Sequence, residues 1–237
     1  MTTMLPTSRD ARAVGAWYFA LATAPFSLIY IPSTLVVPND AAATASRILG
    51  HEMMFRLSIL NEVFVAIVFV FLSLAAYRLL SGVNKLQAAA MVILGSVVSA
   101  PISFLAVAND LAALAILHAP RYLSVFSKPQ LEALALLFLR LHHYVIVMQQ
   151  ISWGVWLLPF GLLVMRSRFV PRILGILLII NGCAYIAMTM TSVLAPDYAN
   201  VVASVAMIPE TGELWIALWL LIMGVRPQTQ PLVPALA

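Results

Sequence analysis

The sequence predicts an all-α, polytopic membrane protein: a bundle of six transmembrane helices in one domain, with both termini cytoplasmic. Of the 237 residues, 63% are hydrophobic and only 9% are charged, whereas an ordinary soluble domain is about 25% charged. The mean hydropathy is +1.01, so the chain lacks the polar surface that a water-exposed globule needs. The apolar residues fall into six long runs, each near the length of about 20 residues that crosses a hydrocarbon core of roughly 30 Å.

The first span is expected over about residues 12–36. Arg9 and Arg12 precede it as they would in a signal peptide, but the run is longer than an h-region of about 7–15 residues, which points to an uncleaved helix. Pro25 should kink it and Pro32 should mark its outer end. VPNDAAAT (37–44) is a turn with helix-start chemistry. ASRILGHEMMFR (45–56) is short and amphipathic, and reads as an interfacial helix leading into a second span over 57–80. SGVNKLQ (81–87) is a tight connection to a third span over 88–110, whose apolar pattern runs on to Leu117. HAPRYLSVFSKPQ (118–130) is the longest loop, and a short helix from Gln130 leads to a fourth span over 142–165. After RSRFVPR, Pro171 suits a helix start, and the last two spans cover 173–194 and 204–224. The domain comprises residues 1–226, and the Pro-rich segment 227–237 reads as a disordered tail.

Charge sets the expected orientation. With both termini inside, the cytoplasmic side holds eight basic residues and one acid, and the other side five basic residues and eight acids, in the sense of the positive-inside rule. The expected home is the cytoplasmic membrane of a bacterium, with the lipid bilayer as partner. A net charge of +4 is explained by basic loops, so no nucleic-acid partner is expected. One cysteine, Cys183, excludes an intrachain disulfide and a cysteine metal knuckle.

Ionisable groups inside hydrocarbon cost several kcal/mol unless they face protein or water, so each is a functional candidate. Counting from the basic inner ends places Glu62, Asp110, Gln149 and Glu213 within one or two turns of the outer boundary, with His142, His143 and Glu210 at the boundary itself. At 100° per residue, Ser96, Ser99, Ser103 and Asp110 share a narrow arc of the third span. His142, Gln149, Trp153, Trp156 and Phe160 share one in the fourth, Ser58, Glu62 and Ser73 in the second, and Glu210, Glu213, Ala217 and Gly224 in the sixth. These stripes describe an outward-facing acidic cavity, with His142 and Gln149 on one wall and Glu213 opposite. The ligand-binding candidates are therefore Glu62, Asp110, His142, Gln149 and Glu213. Against that stand plainer roles. Small polar residues on such faces serve helix packing, Glu52 and Arg56 are spaced for a surface pair, and Glu210 beside Pro209 reads as an acid at a helix start.

Specific catalytic motifs are absent: there is no HExxH helix, Walker loop, GxGxxG turn or GxSxG elbow. No cofactor is expected and no catalytic residue is assigned. Adjacent His142 and His143 diverge by about 100° on a helix, so a metal would use one of them with Glu62, Asp110 or Glu213.

Several stretches resemble one bacterial membrane family, catalogued as domain of unknown function 4386. They are LHHYVIV at the opening of the fourth span, SRFVPRILGILLIINGCAYI, GELWIALWLLIMGV, ARAVGAWYFAL and SRILGHEMMFRLSIL. The similarity spans nearly the whole chain and implies a multi-helix inner-membrane protein, without an activity. It draws attention to His142, Pro171, Arg172, Gly175, Glu213 and Gly224. An Asp often follows the His in that family's pattern, and His143 stands there in this chain.

The leading functional expectation is binding or permeation of a small polar or cationic solute through the acidic cavity. The alternatives are an intramembrane, metal-assisted enzyme acting on a lipid-like substrate, and a non-catalytic membrane subunit or sensor.

Overall fold

Six helices in the computed structural model are long and apolar enough to cross a membrane: Ser8–Leu35, Glu52–Leu80, Lys85–Leu117, Lys128–Ser167, Arg172–Leu194 and Pro196–Ile222. The chain is a multi-pass membrane protein. The structure describes residues 7–225, and every element among them is helical. The expected disordered tail (227–237) and the basic residue Arg226 lie outside the described residues.

The first span is broken where proline requires it. Helix α1 (Ser8–Ala20) starts from a capping box between Thr7 and Asp10. A 3₁₀ turn over Leu21–Thr23, a π-turn over Phe26–Tyr30 and α2 (Ile31–Leu35) continue it. Pro25 between the turns has no N–H to give and crowds the carbonyl one turn back. Asn61 repairs the break from the second span, donating to the Thr23 carbonyl at 3.0 Å and to Ser27 Oγ at 2.9 Å. Pro32 does not end the helix. It sits in the first turn of α2, where a missing N–H costs little.

Asp40 caps α3 (Ala41–Gly50), accepting from Ala43 N at 2.8 Å. This amphipathic segment buries Thr44, Ala45 and Ile48, and it packs on the fourth span. The second span is α4 (Glu52–Leu80), with the expected Arg56–Glu52 pair at 2.6 Å near its start. The third comprises α5 (Lys85–Val92), a π-turn over Ile93–Val98 and α6 (Ser99–Leu117). Pro101, which the sequence reading passed over, follows that π-turn and accounts for it as Pro25 accounts for the first.

Helix α7 (Lys128–Ser167) is one unbroken helix of 40 residues, about 60 Å long at 1.5 Å per residue and twice a hydrocarbon core. Its first turns merge the expected lead-in helix with the span, and bury Ala135 and Leu139 in a cluster with Ile48 and Phe55. After Arg168 in the left-handed region (φ 60°), α8 (Arg172–Leu194) and α9 (Ala199–Ile222) complete the chain. Pro209 lies inside α9. The expectation that Glu210 is an acid at a helix start is therefore wrong: the true start, Ala199, is eleven residues earlier, and the helix dipole gives Glu210 no support. A membrane helix tolerates such a proline because neighbouring helices re-satisfy the freed backbone.

The spans form a ring in chain order. Each packs on the next, and α9 closes the ring on α1. The tightest seam joins α7 to α8. A Cβ on Gly161 would lie 2.6 Å from the Gly175 carbonyl oxygen, and one on Gly175 the same distance from the Gly161 carbonyl oxygen. Gly154 and Gly182 meet in the same way one heptad away. Small residues let the two backbones touch, the usual device where lipid supplies no hydrophobic drive. Two apolar clusters fill the ends of the ring. One contains Val14, Leu72, Trp156, Phe160, Leu163 and Ile216, the other Ile31, Leu35, Phe55, Val107, Leu114 and Leu139. Asp110 lies on α6 between Val107 and Leu114 of the second cluster.

Candidate functional site

Helices α6 and α7 run antiparallel, so polar residues spaced along one meet those of the other in reverse order. Ser99 Oγ and Ser152 Oγ are 2.5 Å apart, and Gln149 Nε2 donates to Ser103 Oγ at 2.6 Å. At the third level His142 Nδ1 lies 3.2 Å from Asp110 Oδ1. The Ser, Gln and His stripes expected on two helices are thus the two sides of one polar seam. Double-mutant cycles on such membrane hydrogen bonds average about 0.6 kcal/mol. Ser99→Ala is expected to lower stability by about that amount, and to cost nothing further once Ser152 is alanine, as read by denaturation in micelles.

The second span adds Glu62 to the third level. His142 Nε2 is 3.7 Å from Glu62 Oε1, and one ligand atom from each of Glu62, Asp110 and His142 lies within 4.8 Å of the others. All three are buried, at 7%, 5% and 7% exposure. His142 Nδ1 also faces the Ala106 carbonyl at 3.2 Å. Two acceptors at one ring nitrogen require the hydrogen to be there, which leaves Nε2 turned to Glu62. Adding a proton at Nε2 converts that contact into an ion pair. The triad is therefore an imidazole set between two acids, drawn from α4, α6 and α7. Asp110 and His142 line a cavity of about 600 Å³ that also meets Ser27, Ser33, Ser58 and Arg140 and reaches the connector at Val36 and Pro38. His143 is exposed and lines the same cavity without joining the triad.

Gln149 and Glu213 are elsewhere. Both line a second cavity of about 340 Å³, with Tyr18, Trp153, Trp156 and Tyr185. Glu213 Oε2 accepts from Tyr18 OH at 2.9 Å, and Oε1 accepts from Asn181 Nδ2 at 2.6 Å. The single cavity expected from the sequence, with Gln149 beside His142 and Glu213 opposite, is thus divided in two. Leu28, on the π-turn of the broken first span, borders both. Sequence reasoning missed Asn61, Tyr18 and Asn181. Asn181 carries a signal of its own, an amide in the middle of an apolar run. Tyr18 carries none beyond its place in the first span.

A family model described as domain of unknown function (DUF4386) matches residues 13–224. No curated protein and no solved structure matches the chain.

Proposed function

We propose, for a chain that belongs to the DUF4386 family, that it binds a small polar or cationic solute in the larger cavity and exchanges protons with it at the Glu62–His142–Asp110 triad. One observation carries the reading: three helices bring two carboxylates and one imidazole together in a buried site. With both acids ionised the set keeps an excess negative charge even when the ring is protonated. In a low-dielectric bundle that excess is costly until a proton or a cation neutralises it. A cation arriving through the cavity therefore displaces a proton, and the imidazole between the acids can pass it on. With both termini in the cytoplasm of a bacterium, the cavity mouth at Val36 and Pro38 faces outward, and binding or permeation starts from that side.

The test is thermal unfolding of the purified protein in nanodiscs against a panel of monovalent, divalent and guanidinium cations. At least one should stabilise the wild type, with an affinity about tenfold weaker in Asp110→Asn and in Glu62→Gln, as expected for losing a charge-assisted contact. A wild type indifferent to the whole panel, or variants that respond as it does, would remove the proposal.

A second reading, a metal-assisted enzyme acting on a lipid-like substrate, is supported by the same 4.8 Å grouping, since His and carboxylate are ligands for Zn²⁺. Against it, the ring spends its two nitrogens on two different acids, and a metal would take only one. Protein purified without chelators is expected to carry well under one equivalent of metal and to keep its melting temperature in EDTA. Stoichiometric metal lost in Asp110→Asn would favour the enzyme.

A further inference from the structure

The second cavity has three features that the triad does not account for. Its acid is uncompensated: both oxygens of Glu213 are held by neutral donors, Tyr18 and Asn181. Among the described residues no basic side chain forms an ion pair with it, whereas Glu62 and Asp110 share His142. Its walls are aromatic. The Phe69 and Trp156 rings lie 5.0 Å apart, Tyr18 and Trp156 6.3 Å, and Trp153 meets Tyr185 edge-on at 5.7 Å. All of these residues line the cavity, and so does Glu210. Its remaining polar wall has an open acceptor. Gln149 is 2% exposed and its Nε2 is used by Ser103, while its Oε1 is buried with no partner.

A carboxylate without a cation, ringed by π faces that attract cations, fits a positively charged group with an apolar body. The open Gln149 oxygen fits a donor on the same molecule. We propose that this cavity binds a small organic ammonium ion carrying a hydroxyl or N–H donor. Glu213 and the aromatic rings hold the ammonium, and Gln149 receives the donor. About 340 Å³ suits such a ligand. Free solute and a lipid headgroup amine share this chemistry. The proposal stands on residues outside the triad and is independent of what the larger cavity holds.

The experiment uses the full chain in phosphatidylglycerol nanodiscs and amine-free buffer. Choline and 2-aminoethanol are titrated while melting temperature and tryptophan fluorescence are followed. The neutral isostere of choline, 3,3-dimethyl-1-butanol, is the control. At least one ammonium is expected to give saturable stabilisation that the alcohol does not. Glu213→Gln should weaken it about tenfold, as loss of a charged partner does, and Gln149→Leu should weaken it severalfold. Asp110→Asn should leave it within about twofold, as a site without shared partners would. Trp153→Leu serves in place of Glu213→Gln should the latter not fold. If free amines are silent but phosphatidylethanolamine in the nanodisc stabilises wild type and not Glu213→Gln, the occupant is the headgroup. Silence in every arm, an equal response to the alcohol, or loss of binding in Asp110→Asn as large as in Glu213→Gln would overturn the proposal.

Discussion

His142→Ala is expected to lower the unfolding free energy by about 3–5 kcal/mol, the cost of stripping a buried charge of its partner. Among the described residues the imidazole is the one group within ion-pair distance of both Glu62 and Asp110. Without it two carboxylates with little exposed surface face each other, and their repulsion is left without a counter-charge. Asp110→Asn and Glu62→Gln should each cost less, because the amide keeps the shape and the remaining acid keeps the ring. In the doubly neutral background Glu62→Gln/Asp110→Asn, His142→Ala should lose only its packing. Denaturant titration in mild detergent gives the four values needed. An alanine cost that is the same in both backgrounds would show that the three groups do not act as a charge-coupled unit.

Gly161→Val is expected to destabilise by about 1–3 kcal/mol or more. The obstacle to the new side chain is the Gly175 carbonyl oxygen, 2.6 Å from the nearest added atom. A side chain could swing away, but a helix backbone moves only as a unit, so α7 and α8 must separate. Gly175→Val opens the same contact from the other side, and the double variant should therefore cost clearly less than the sum of the two. Gly50 is the control. A Cβ there meets nothing within 4 Å, and Gly50→Ala should be neutral or gain up to about 1 kcal/mol of helix propensity.

The spans were legible because each is a long apolar run with its own punctuation, such as VPNDAAAT before α3 and Pro171 before α8. Less legible was how proline acts in a membrane helix. Pro25 and Pro101 are absorbed by local 3₁₀ and π geometry, and Pro209 by a continuous helix, so a rule drawn from helix starts misplaced Glu210. The triad was half legible. Counting at 100° per residue put Asp110 and His142 on inward faces, but counting depth from the basic inner ends set Asp110 level with Gln149, whereas it meets His142. His142 and Gln149 share an arc yet stand seven residues apart, about 10 Å along the axis, which is enough to put them at different levels of the seam. Nor does periodicity reveal which helices are neighbours, and that is what joins Glu62 to His142 and gives Glu213 to Tyr18 and Asn181.

The order of the ring has a consequence for biogenesis. Spans that enter the bilayer one after another each find their neighbour already in place, so no helix has to be threaded past another. The triad needs α4, α6 and α7 alone, and is complete before α8 and α9 arrive. The hydrogen bond from Tyr18 to Glu213 joins residues 195 positions apart and forms last. Until α9 is in place, Tyr18 and Asn181 have no Glu213 carboxylate to receive their hydrogen bonds.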